Sequence, residues 1–122
     1  MTTIPPSAEQ AIAGDAVSPP ANQAIRAAQG DAALVLATIS HLETAIDSAT
    51  LTVLSPTPLV LTGTLMAAGV VQGDGTCQAQ ASFKLTGTAT AALPLGPIPF
   101  RLDVAIGADV FRVATGTLTV TT

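Results

Sequence analysis

The sequence is short of charge, of aromatic side chains and of cysteine, and each shortage removes a class of function. Only 10 % of its 122 residues are charged, against roughly 25 % in ordinary soluble domains. Four Lys and Arg against eight Asp and Glu supply no basic patch to neutralise phosphates. With no Trp or Tyr and only three Phe there is no platform on which bases could stack, so nucleic acid is disfavoured as a partner. The net charge of −4 argues equally against an anionic membrane surface. Cys77 is the one cysteine, which rules out an internal disulfide framework and a zinc site built on cysteine pairs. The longest apolar run, Ala32 to Ala37, falls far short of a membrane-spanning helix. The amino terminus, Met-Thr-Thr-Ile-Pro-Pro-Ser-Ala-Glu-Gln, has neither a basic segment nor an apolar run, so synthesis in the cytoplasm without a signal peptide is expected.

Catalytic residue types are equally sparse. His41 is the only histidine and reads as a solvated helix residue rather than a general base. Cys77 has no Lys, Arg or His close in sequence to lower its pKa and reads as a small buried hydrophobe. Asp74 stands between two glycines, where turn chemistry accounts for it. No phosphate-binding glycine loop is present. The expectation is a protein that is not an enzyme, with no catalytic, cofactor-binding or metal-ligating residues.

Three stretches differ in composition. Residues 1–21 form a proline-punctuated arm, expected to clasp another chain. From Asn22 to Ser48, apolar residues fall at Ile25, Ala28, Ala32, Val35, Ile39, Leu42 and Ile46, alternating three and four apart. That spacing predicts an amphipathic, heptad-patterned helix over 22–48. Its seam of Ile25, Val35, Ile39, Leu42 and Ile46 would serve self-association. Leu34 and Leu36 widen the stripe, so packing of the helix on the protein's own sheet is the competing reading.

Residues 49–122 change to Thr, Val, Leu and Gly with a period of two, predicting about five antiparallel strands in two hairpins. Gly73-Asp74-Gly75 suits a three-residue loop, a type I turn closed by a left-handed glycine. The hairpin it closes would pair Val71 with Cys77, Leu65 with Phe83, Gly63 with Leu85 and Leu61 with Gly87. Gly63 and Gly87 would then leave a packing notch in the apolar face. Gly107-Ala108 suits a type II′ turn that sets Val104 opposite Phe111 and Asp103 opposite Arg112, with a bulge near Gly116. Thr50–Leu54 supplies one further strand, turned toward Leu59 by Ser-Pro-Thr-Pro. Leu93–Pro99, with its prolines, is expected to be a stiff connection and not a central strand.

Thr-Gly-Thr occurs three times, around Gly63, Gly87 and Gly116. Threonines alternate at Thr86, Thr88 and Thr90, and again at Thr115, Thr117, Thr119 and Thr121. These rows resemble those of insect-type ice-binding β-solenoids, which implies an ice-binding face, although that family's regular repeat and disulfides are missing here.

The fold class expected is thus α+β: an arm, a heptad helix and an antiparallel β domain. The function expected is structural. We read a self-associating assembly protein, a virion component such as a capsid decoration, head-fibre or tail accessory protein, whose partners are itself and another structural protein. A small β-rich module for carbohydrate or another small ligand is the alternative.

Overall fold

The computed structural model describes residues 9–55 and 58–122. Among these residues are nine strands, β1 (Glu9–Asp15), β2 (Gln23–Ala28), β3 (Ala33–Leu42), β4 (Ser48–Val53), β5 (Leu59–Thr62), β6 (Thr64–Val71), β7 (Cys77–Leu85), β8 (Gly96–Ile106) and β9 (Asp109–Thr121). One short helix, α1 (Gly87–Ala91), follows β7. The strands form two sheets, in the orders β1-β3-β7-β6 and β2-β9-β8-β4-β5, packed face to face. β1 runs parallel to β3 and β2 parallel to β9; the other pairs are antiparallel. The order β3-β7-β6 against β9-β8-β4, with chain crossings from β3 to β4, β5 to β6 and β7 to β8, is that of an immunoglobulin-type sandwich. That architecture's inter-sheet disulfide and core Trp have no counterpart in a chain with one cysteine and no Trp.

The α+β expectation is corrected: no heptad helix exists among the described residues, and 22–48 fold as β2, β3 and their connections. The helical spacing relied on Ala28 and Ala32, but Ala28 is half-buried and Ala32 exposed. The residues that fill the core are Ile25 and Ala27 on β2 and Ala33, Val35, Ala37 and Ile39 on β3, a strict period of two. An interval of four, as from Val35 to Ile39, fits both periods. Alanine decided for the wrong one because it carries too little apolar surface to mark a face. The arm is corrected in part as well. Residues 9–15 are β1, paired with β3 of their own domain, and the Pro20 carbonyl accepts the Thr115 amide at 2.9 Å; residues 1–8 lie outside the described residues.

Two devices join the sheets at their sides. Between β1 and β2, which belong to different sheets, glutamines supply what a ladder would. The Gln10 amide donates to the Arg26 carbonyl at 2.5 Å and its oxygen accepts the Arg26 amide at 2.6 Å, while Gln23 Oε1 accepts the Ala13 amide at 2.8 Å. On the opposite side one strand serves both sheets: β5 pairs with β4 up to Thr62, the Gly63 amide donates to Ala49 at 2.8 Å, and from Thr64 the chain pairs with β7.

The hairpins behave as expected near their turns and depart further out. Gln72 and Thr76 bracket the first loop, with Gly75 at φ +86°, and Val71 lies opposite Cys77 and Val70 opposite Gln78. Two irregularities then insert one extra β6 residue each, so Leu65 faces Ala81 and not Phe83. Two single-residue slips restore the parity of the faces, so the alternation is kept while the partners change. In the second hairpin Gly107 sits at φ +61°, Val104 faces Phe111 and Asp103 faces Arg112. Its bulge falls between the Asp103–Arg112 and Leu102–Ala114 pairs rather than at Gly116, and places Val113 and Ala114 both in the core.

Leu93–Pro99 is also corrected, because Gly96 to Pro99 open β8 and pair with β9. Prolines are tolerated there because β4 ends at Val53, opposite Phe100. Pro97 and Pro99 turn their ring nitrogens to the side β4 has left, where the Pro99 carbonyl accepts the Leu54 amide at 2.8 Å.

Each Thr-Gly-Thr glycine has a neighbour where a Cβ would stand. A Cβ on Gly63 would lie 2.8 Å from Phe83 Cε1, one on Gly87 2.6 Å from the Gly30 carbonyl oxygen, and one on Gly116 1.9 Å from the Gln23 carbonyl oxygen. The notch expected at Gly63 is therefore filled from within by Phe83. Gly87 is not on a strand at all; it begins α1 behind the N-cap Thr86.

Candidate interaction surface

The five residues assigned to a self-association seam all point inward. Ile25, Val35, Ile39, Leu42 and Ile46 are buried in the sandwich core, and the helix that would have presented them is absent. Surface function must come from elsewhere on the molecule.

The richest place is the outer edge formed by β5 and β6, the last strand of each sheet order. From Leu59 to Val71 the chain carries no charge and no proline. Val60, Thr62, Thr64 and Met66 point out and are exposed, while Leu59, Leu61, Gly63 and Leu65 point in and are half-buried; beyond the irregularity that follows Leu65, Ala67 lies opposite Gln80 on the outer face. Among the described residues, Leu59, Leu61 and Leu65 are three of the four hydrophobics that pack on the core yet stay partly open; the fourth is Ile106. Natural edge strands are usually blunted by lysine, proline or a covering loop. Here β6 carries two irregularities beyond Leu65, and among the described residues covering reaches only the far end, where the Ile46 amide donates to the Ala68 carbonyl at 2.9 Å and Ala45 lies against Gly69.

A second feature is a shallow trough of about 410 Å³ on the outer face of the five-stranded sheet, walled by Leu54, Val60 and Val110 with Thr50, Thr52, Arg101 and Asp103 in its floor. The Asp103 carboxylate stands 3.2 Å from Arg101 Nε and 3.9 Å from Arg112 Nε. Arg101 Nε is buried and makes no aligned hydrogen bond despite that distance, so the attraction there is ionic. Solvent screens the pair, which contributes at most about 1 kcal/mol.

The third feature is the end of the sandwich where β1 and β3 finish. His41 adopts φ +60° in the irregular stretch between Ile39 and Leu42, and its Nδ1 lies 2.7 Å from Asp15 Oδ2. The expected helix position for His41 is corrected; it is a β3 residue within hydrogen-bond distance of Asp15. Amide hydrogen bonds from Ser18 first and Val17 next, then His41, hold the Asp15 carboxyl below its ordinary pKa. These bonds tie down the chain leaving β1. Asp74 is likewise lowered, by the Thr76 hydroxyl and amide, within the turn expected for it. Among the described residues no group of three or more His, Cys, Asp or Glu is placed to hold a metal ion, and Cys77 is a buried free thiol.

The threonine rows separate. Thr117, Thr119 and Thr121 form one exposed column on β9, flanked by Ala24, Arg26 and Ala28 on β2 and by Pro97 and Pro99 on β8, so no second threonine column adjoins it. Thr86 and Thr90 serve α1 instead. Thr86 Oγ1 accepts the Ala89 amide at 3.1 Å, and buried Thr90 donates to the Asp31 carbonyl at 2.8 Å while accepting the Gly30 amide at 3.1 Å. Of the three phenylalanines, Phe83 and Phe100 are buried and Phe111 is exposed on the rim.

In the comparisons with known proteins, no family model and no curated protein matches this chain.

Proposed function

We propose that this protein is a non-enzymatic structural module that associates with copies of itself, as a component of a larger assembly such as a virion, where it would decorate or extend another structural protein. The observation that carries the reading is the uncharged β5–β6 edge, along which Leu59, Leu61 and Leu65 leave the core incompletely covered. A partner laid there removes apolar surface from water at about 25 cal/mol per Å² and satisfies backbone groups that otherwise rely on solvent.

Light scattering on the purified chain, followed over a dilution series, tests this directly. A mass that is a multiple of 12.1 kDa and falls on dilution is expected. A mass of 12.1 kDa throughout, up to high micromolar concentration, rejects self-association.

A further inference from the structure

We propose that two copies of this chain pair their Val60–Met66 edges antiparallel about a two-fold axis at Gly63, merging each five-stranded sheet with the four-stranded sheet of the other copy. This rests on the self-association reading and specifies its geometry. The stretch Leu59-Val60-Leu61-Thr62-Gly63-Thr64-Leu65-Met66-Ala67 is mirrored in chemistry about its glycine. Antiparallel pairing about that point sets Thr62 opposite Thr64 of the second copy, Leu61 opposite Leu65 and Val60 opposite Met66, and the match of faces ends at the irregularity that precedes Ala67. Inward residues meet inward residues and outward meet outward, as a buried face requires. Leu61 and Leu65, half-buried in one copy, then cover one another across the joint.

Backbone geometry agrees. The Gly63 amide is used within the chain, on Ala49 at 2.8 Å, so alternation turns the amides of Val60 and Thr62 toward the free edge. The Gly63 pair at the axis is then of the non-hydrogen-bonded type, whose backbones approach more closely, about 4.5 Å between Cα atoms, and the absence of a Cβ suits that approach.

Charge selects the direction. Asp15, Glu43, Asp47, Asp74 and Asp109 all lie at the end of the sandwich where β1, β3, β6 and β8 finish. Antiparallel pairing sends the two acidic ends to opposite extremes of the dimer, whereas parallel pairing would place them side by side. The edge itself brings no charge to the joint.

Cysteine cross-linking reads the register. A mixture of Val60→Cys and Met66→Cys proteins should give a disulfide-linked heterodimer, because these positions face each other within disulfide reach. Neither variant should link to itself, since like positions are six residues, or about 20 Å, apart along the pair. Both sites are exposed, at 60 % and 61 %, and circular dichroism checks that each variant folds. As a second readout, Val60→Glu and Met66→Lys should each return the mass to 12.1 kDa, and the double variant should restore the dimer by pairing the new charges across the joint. A wild-type oligomer in which the mixture fails to link, or in which the double variant stays monomeric, overturns this geometry while self-association stands. A wild-type chain that is monomeric throughout overturns both.

Discussion

Replacing Gly116 with alanine tests the claim that the Thr-Gly-Thr glycines are there for close approach. The new Cβ would stand 1.9 Å from the Gln23 carbonyl oxygen, 2.6 Å from its carbon and 2.9 Å from Phe100 Cε2. Ordinary contact begins near 3.4 Å, so β2 must retreat from β9 by roughly 1.5 Å, and backbone cannot yield as a side-chain tip can. Overpacking of this kind costs about 1–3 kcal/mol. If β2 undocks altogether, exposing buried Ile25 raises the cost by about 1.5–3 kcal/mol. For 122 residues the unfolding entropy is about 0.26 kcal/mol per kelvin, so a loss of ~3 kcal/mol lowers the Tm by about 12 °C. Urea and thermal unfolding of Gly116→Ala should be compared with Gly73→Ala, whose Cβ would meet nothing within 4 Å and which should stay within about 0.5 kcal/mol of the parent. A Gly116→Ala protein as stable as the Gly73 control would refute the close-approach explanation.

Ile39→Asp should abolish the β-sheet circular dichroism, because it places an unpaired charge at a fully buried core position, a change expected to cost more than about 4 kcal/mol; a folded variant would return Ile39 to the surface. Gln10→Ala removes both side-chain bonds to the Arg26 backbone and should lower urea stability by about 1–2 kcal/mol, an effect that Gln72→Ala, at an exposed turn, should not reproduce. Acid titration of stability tests Asp15. Its pKa in the folded chain is depressed below the ordinary 3.8, so its contribution is complete above the unfolded-state value and is lost as pH falls through the folded one. Asp15→Asn should therefore flatten the acid limb below about pH 4, and an unchanged limb would mean that the Ser18, Val17 and His41 bonds contribute nothing.

Much of the β architecture was legible because its signals are local. The loop at Gly73–Gly75 and the turn at Gly107 follow from the need for glycine at left-handed positions, and register near each turn follows from loop length. The apolar alternation from Leu59 to Ala67 and its symmetry about Gly63 are properties of the sequence alone. So is the scarcity of charge and of catalytic residue types. What sequence periodicity misassigned was 22–48, because a spacing of three and four can be assembled from alanines that face neither a seam nor a core, and only burial against the opposing sheet reveals that alternate β3 residues fill the interior. Tertiary structure likewise decided what fills each glycine site, Phe83 for Gly63, the Gly30 carbonyl for Gly87 and the Gln23 carbonyl for Gly116, since these neighbours come from distant parts of the chain. It also decided that His41 meets Asp15, that a proline pair can open a strand whose neighbour has ended, and that β5 and β6 lie at the sheet edges. Whether a strand is central or edge depends on which other strands reach it, and that is set by long-range pairing, which no window of local sequence contains.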